Sequence, residues 1–344
     1  MVSINTLANL PSTELAGLVQ QIGNTSLYPI RFLIHGKVRT VHLKLENENP
    51  TSSLKARTGY GLIQNCEESG LLYPGSTVVE STSGNLGVAL AFICKARGYS
   101  FIAVVDPKTT QENIARMKSL GAKIELVDRP DAYNGYLLSR LARVRELCTQ
   151  HENYIWTNQY ANKANPWVHY LGTGPEIYRQ MQKKVGVVFV PVSTGGTLTG
   201  IGRYLREVSP TTKIIAVDAR GSVIFGTPSA KRKLTGIGSS QLSNFITRDV
   251  YDHYMLVRDA EAFAFCHALT IKTGLKLGGS SGCVLFACAQ FLAVHAHETD
   301  IVCLCADSGE NYNETIYNEA WIQQFSSGFF NQHLQAGLDI ILSL

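Results

Sequence analysis

The chain has 344 residues, of which 45% are hydrophobic and 17% charged, with a formal net charge of +4. That length and apolar content exclude a disordered chain and point to a large core divided over two domains. No dense stripe of Lys and Arg marks a nucleic-acid face, since the densest run, Lys231-Arg232-Lys233, reads as a solvated loop.

Short β-rich runs alternate with helical patterns from about residue 76 onward. In chain order the pattern predicts a buried strand at 76–79, a helix over 86–97 stopped by Gly98, and a strand at 101–105. A helix over 111–120 stopped by Gly121, a strand at 123–127 and a helix over 135–148 follow, the last with Leu137, Leu138, Leu141 and Val144 on one face. The second series is a strand at 187–192, a helix over 198–207, a strand at 213–217, a helix over 282–293 and a strand at 301–306. Such alternation implies parallel sheets covered on both faces, here as two α/β domains with a cleft between them and a boundary near Trp156. The apolar tail after Phe325 is expected to dock on its own domain or on a partner subunit.

Eight cysteines are scattered without a CxxC pair and mostly within apolar runs, so free thiols in a reducing compartment and no metal site are expected. Residues 1–18 lack the basic start and long apolar run of a signal peptide, and no stretch approaches a membrane span. A cytoplasmic protein with no membrane or nucleic-acid partner is expected.

Four segments carry possible chemistry. In Asn49-Pro50-Thr51-Ser52-Ser53-Leu54-Lys55-Ala56-Arg57 a lysine opens a helix after a polar loop. An isolated lysine is ordinarily a solvated surface group, but amine catalysis needs one that solvent does not hold permanently protonated. In Glu80-Ser81-Thr82-Ser83-Gly84-Asn85-Leu86-Gly87, hydroxyls and glycines expose backbone N–H groups at a helix start, which suits a carboxylate or phosphate and also an ordinary capping turn. The run Ser193-Thr194-Gly195-Gly196-Thr197 sits directly between a strand and a helix, where paired glycines let the backbone curl around a phosphate. It is neither the GxGxxG fingerprint nor a P-loop. Finally, in Gly278-Gly279-Ser280-Ser281-Gly282 a serine enters an apolar helix, as a cap or as a partner for a ring nitrogen.

Together and in this order, these segments resemble the cysteine synthase family of fold-type II pyridoxal-phosphate enzymes. The resemblance runs over nearly the whole chain, from Gly23-Asn24-Thr25 to Asp307-Ser308-Gly309-Glu310. It implies two three-layer α/β domains of the tryptophan synthase β type, with pyridoxal 5′-phosphate in the interdomain cleft and a homodimeric assembly. On that pattern 46–156 form a smaller, mobile domain, 1–45 with 157–325 a larger domain holding the cofactor phosphate, and 326–344 a C-terminal tail. The lysine matching Lys55 carries the cofactor and acts as general base, and the asparagine matching Asn85 contacts its ring hydroxyl. The loop matching Ser193, Thr194, Gly195, Gly196 and Thr197 holds its phosphate, and the serine matching Ser280 faces its pyridine nitrogen. The turn matching Ser81, Thr82 and Ser83 holds the substrate carboxylate, helped by a glutamine matching Gln159. A neutral serine at the ring nitrogen is expected to favour loss of a β-substituent over transamination.

Several positions depart from the family's usual pattern. Ala56 stands where an aspartate is usual, Ser193 where the phosphate loop begins with glycine, and Tyr160 where a phenylalanine follows the glutamine. The last two add hydroxyls, which fits a more highly charged substrate or leaving group. The stretches 104–108, 158–162 and 217–226, with 131–140, resemble a narrower group of that family. Its members join O-phospho-L-serine to L-glutamate on the way to 2,3-diaminopropionate, siderophores and some peptide antibiotics. Arg140, flanking the apolar face of its helix, would meet a phosphate or a glutamate carboxylate there, or be a solvated residue beside Arg143 and Arg145. The competing expectations are a sulfide-using cysteine synthase, a serine or threonine dehydratase, and a non-catalytic cofactor-binding scaffold. A nicotinamide-dependent dehydrogenase ranks last for want of the glycine fingerprint.

Overall fold

The computed structural model describes residues 4–131, 135–325 and 328–343. Residues 132–134, part of the stretch used for the narrower resemblance, lie outside the described residues, as do 326, 327 and 344 of the tail. Ten strands are found among the described residues: β1 (Leu27–Ile34), β2 (Lys37–Leu45), β3 (Thr77–Ser81), β4 (Ser100–Val105) and β5 (Lys123–Leu126), then β6 (Tyr154–Trp156), β7 (Val187–Pro191), β8 (Lys213–Ala219), β9 (His253–Val257) and β10 (Ile301–Cys305). The chain folds into two compact units, one of residues 1–23 and 48–168, the other of residues 24–47 and 169–344.

The first unit holds a four-stranded sheet in the order β5-β4-β3-β6, parallel throughout. Its two faces are both covered, and the period-2 alternation of the strands shows how. Val78, Phe101, Ala103 and Val105 pack into one core with residues of the helices Lys55–Glu68 and Asn85–Arg97. Val79, Ile102 and Val104 pack into another with Val144 and Leu147 of the helix Leu137–Gln150. Side chains wanted on both faces make the central strands read as continuous apolar runs. The helix Asn85–Arg97 ends at Gly98, which takes φ 78, the left-handed stop expected of it.

Three details of this unit differ from expectation. Leu138 is exposed, and the buried face of its helix is Arg140, Leu141, Val144 and Leu147 instead, because at about 100° per residue Leu138 lies roughly a third of a turn from the centre of that face. Residues of the N-terminal segment also pack here: Leu7, Leu15 and Val19 lie in the same core as Leu90 and Ile93, although 1–45 were expected with the larger domain. The unit runs to residue 168 rather than 156 because the helix Ala164–Val168 packs on the helix Lys55–Glu68.

The second unit holds a six-stranded sheet in the order β1-β2-β10-β7-β8-β9. Five of these strands are parallel, but β1 runs antiparallel to β2, so the sheet is mixed and not purely parallel as expected. The hairpin closes through His35 (φ 48) and Gly36 (φ 72), a two-residue turn with both φ values positive, whose twist matches that of the strands. The helix Gly279–Val294 crosses β7 to β10 and buries residues on all sides, from Gly279 to Leu292. A β-carbon on its Gly282 would lie 2.0 Å from the carbonyl oxygen of Ala262, so only glycine lets the helix Asp259–Thr273 approach this closely. The helix Gly328–Ile340 packs against that same neighbour, and Phe330 and Ile341 enter the unit's core, which docks the apolar tail on its own unit.

Candidate active site

In the first unit Ser81, Asp106 and Gln159 lie at or just beyond the carboxyl ends of β3, β4 and β6, where α/β folds gather their ligands. Lys55 is the first residue of its helix and follows a loop in which Thr51 and Ser53 are buried. Its side chain is half-buried, and loss of hydration lowers the amine to a pKa of about 8. A lysine so placed keeps an appreciable neutral fraction near pH 7, as carbonyl chemistry requires.

Ser81 ends β3, and Thr82 and Ser83 carry the chain into the helix that Asn85 opens. No side chain caps that helix. Ser81 and Thr82 are buried, and the Ser81 hydroxyl has no hydrogen-bond partner among the described residues. At Gly87 a β-carbon would come within 2.4 Å of Met117 Sδ and 3.0 Å of Thr82 Cγ2, so a larger residue would have to displace the Met117 side chain. Gln159 is brought to this turn, its Nε2 donating to the carbonyl of Ser81 at 3.0 Å.

Arg140 and Tyr160 form a neighbouring group. The Arg140 side chain is buried with its Nε 3.3 Å from Asp106 Oδ2, and its Nη1 has no hydrogen-bond partner among the described residues. A buried guanidinium with an unanswered N–H is costly, and an incoming anion would relieve it. Burial pushes the Tyr160 phenol up to about 12, with Arg140 pulling it down and Glu80 pushing it up, so it stays a neutral hydroxyl.

In the second unit the loop 193–197 joins β7 to the helix Gly196–Val208. Gly195 takes φ 95, and a β-carbon there would meet Ser243 Oγ at 2.2 Å and Ile246 Cγ1 at 2.7 Å. The N-cap residue of the helix is Gly195, which has no side chain to cap its first N–H groups, and such a helix start suits an anion. The loop is braced from behind: Ser243 Oγ donates to Thr194 O at 2.6 Å, Ser193 Oγ donates to Gly238 O at 3.3 Å, and Thr197 Oγ1 pairs with His169 Nε2 at 3.3 Å. Ser280 lies in the first turn of the helix Gly279–Val294, 3% exposed.

Glu80, Asp106, His169 and Ser243 were not singled out as site residues from the sequence, although each holds one that was. For Glu80 the signal was present, since a carboxylate within the apolar run Thr77-Val78-Val79 is almost never buried without partners. For the other three, only the fold brings the pair together.

Each unit's donor set suits one part of pyridoxal phosphate. The second offers an uncapped helix start behind a glycine in the left-handed region, a cradle for a dianionic phosphate. The first offers a desolvated amine for an aldehyde. The α/β fold and these two features define a pyridoxal-phosphate enzyme. A family model described as pyridoxal-phosphate dependent enzyme matches residues 18–307, and the chain belongs to that family. Proteins of Cupriavidus metallidurans and Ralstonia nicotianae named N-(2-amino-2-carboxyethyl)-L-glutamate synthase are 39% and 38% identical to it, over 90% of this chain and 92% of each relative. A hydrogen sulfide-producing enzyme from Fusobacterium nucleatum matches with a TM-score of 0.79 and 29% identity, over 86% of this chain and 96% of that one. An O-ureido-L-serine synthase matches with a TM-score of 0.80 and 27% identity, over 89% and 98%.

Proposed function

We propose that the chain joins O-phospho-L-serine and L-glutamate by β-replacement, giving N-(2-amino-2-carboxyethyl)-L-glutamate and phosphate. The observation that carries this reading is the identity of 39% and 38%, over 90% of the chain, to two relatives named for that product. The buried, incompletely paired Arg140 supports it, because both substrates bring an anion beyond the α-carboxylate.

Pyridoxal phosphate, when bound, supplies the electron sink that makes an amino-acid Cα proton removable. The protein's residues do the rest. Thr194 to Thr197 and the N–H groups of their helix hold the cofactor phosphate. Ser280 offers a neutral hydroxyl to the pyridine nitrogen, and Asn85 an amide to the ring hydroxyl. The Ser81 to Ser83 turn and Gln159 bind the substrate carboxylate. Lys55 Nζ takes the proton from Cα. The C–O bond at Cβ breaks and phosphate leaves, its charge met by Arg140 with the hydroxyls of Tyr160 and Ser193. The neutral amine of glutamate forms the new C–N bond at Cβ, and Lys55 returns a proton to Cα. In the same reading the protein is a cytoplasmic homodimer, and its product leads to 2,3-diaminopropionate for siderophores or peptide antibiotics.

Mass spectrometry of the products from O-phospho-L-serine offered with mixed amino acids and sulfide is the test. The glutamate adduct is expected to dominate. Cysteine as the main product would replace this reading with a sulfhydrylase, and pyruvate without any added nucleophile with a dehydratase.

A further inference from the structure

Glu80 is fully buried at the fourth position of β3, a strand whose other residues carry no charge. The parallel ladder between β3 and β6 pairs Thr77 with Tyr154, Val78 with Ile155 and Val79 with Trp156, and there it ends. Beyond that point the carboxylate of Glu80 takes over from the backbone. Its Oε1 accepts from the N–H of Ser81 at 2.8 Å and from Trp156 Nε1 at 3.2 Å. Its Oε2 accepts from Thr157 Oγ1 at 2.7 Å and from the N–H of Gln159 at 3.1 Å.

Ser81 and Gln159, two of the residues assigned to the substrate carboxylate, are therefore held by one buried group. Gln159 is further tied through its carbonyl to Asn165 Nδ2 at 2.7 Å and through its amide to Ser81 O at 3.0 Å. Asn158, with φ 52, makes the turn that precedes it, in a conformation asparagine tolerates. Three of the four donors are N–H groups that can only donate, so both carboxylate oxygens must accept. Burial holds the pKa of Glu80 above the usual carboxylate value, a rise that the four hydrogen bonds lessen.

We propose that Glu80 is a positioning residue, which sets the spacing between Gln159 and the Ser81 turn and thereby the affinity for the substrate's α-carboxylate. This rests on the assignment of that turn and Gln159 made above. Glutamine is nearly the same size but cannot do the same work. Its NH2 group would face the N–H of Gln159 in one orientation and those of Ser81 and Trp156 in the other, donor against donor.

The test uses the holoenzyme and compares Glu80→Gln with the wild type. Substrate binding is read from the change in cofactor absorbance, together with KM and kcat. The KM for the amino-acid substrate is expected to rise about 10- to 100-fold, with kcat changed by less than about 3-fold. Binding of O-phosphoethanolamine, an amine without the carboxylate, should change by less than about 2-fold. Equal losses for both ligands, or an unchanged KM, would overturn the proposal. Should Glu80→Gln not fold, Thr157→Val decides, since it removes one donor to Oε2 and keeps the carboxylate. It is expected to raise KM by about 3-fold with the same ligand selectivity, and no change overturns the proposal. Wild-type enzyme that binds L-serine but does not turn over O-phospho-L-serine with glutamate would sink the functional reading alone. The Glu80 comparison is then run on L-serine.

Discussion

In the first unit the proposed chemistry rests on ionisable side chains taken out of water, whereas in the second it rests mainly on backbone. Glu80 and Arg140 are buried beside named partners, and burial alone lowers the pKa of the Lys55 amine. The loop 193–197 carries no ionisable side chain, and its shape depends on a glycine in the left-handed region and an uncapped helix start. Side-chain chemistry is sensitive to pH and to removal of one group. A backbone cradle has no group to titrate but tolerates no added β-carbon.

The sharpest way to break this comparison is Lys55→Ala. Turnover is expected to fall by about 10³-fold or more, and borohydride reduction of the wild type with peptide mapping should find the pyridoxyl group on Lys55. Unchanged turnover would remove the first unit's amine from the reaction. Next, Gly195→Ala should weaken cofactor retention by about 10- to 100-fold, because a positive φ and overlap with Ser243 and Ile246 must both be relieved. Equilibrium dialysis against pyridoxal phosphate measures it, and wild-type affinity would mean that the cradle is not backbone-built.

The pH dependence separates the two units. With the Lys55 amine at about 8, its neutral, nucleophilic form grows about 10-fold between pH 7 and pH 9 and then levels off. Stopped-flow uptake of pyridoxal phosphate by apoenzyme should follow that rise, and a rate flat with pH would contradict a desolvated amine. The sign for stability is the same. The depressed lysine binds fewer protons in the folded state than in the unfolded one, so its unfavourable contribution, complete below about pH 8, is relieved as pH climbs towards the ordinary lysine range. The smallest effect concerns a glycine of the first unit. Gly87→Ala, crowding Met117, should cost about 1–3 kcal/mol of stability and leave cofactor affinity unchanged. Calorimetry beside the same dialysis checks both halves. A loss of affinity without a loss of stability would erase the distinction between the units.

Much of the architecture was legible before any coordinates. Predicted strands at 101–105 and 187–192 appear as β4 and β7, and the glycine stops at Gly98 and Gly121 take positive φ. These rest on local rules, burial period and glycine conformation, which act within a few residues. The hairpin of β1 and β2 is marked in the sequence only by the alternation of Ile30, Phe32 and Ile34 and by the turn residues His35-Gly36. β6 is only three residues long, and β9 is buried only at Val257, so neither stands out.

The motifs at Lys55, Ser81 to Asn85, 193–197 and Ser280, with their order, were visible in one dimension and with them the family. Spacing along the chain was enough, since strand-to-helix turns recur at regular intervals in such folds. What holds those residues was not visible. That Glu80 meets Gln159, that Asp106 meets Arg140 and that His169 meets Thr197 all depend on segments 79, 34 and 28 residues apart. Local propensity carries no information about which distant donor will complete a buried acceptor. Desolvation makes such pairings obligatory, and the packed fold alone chooses the partners.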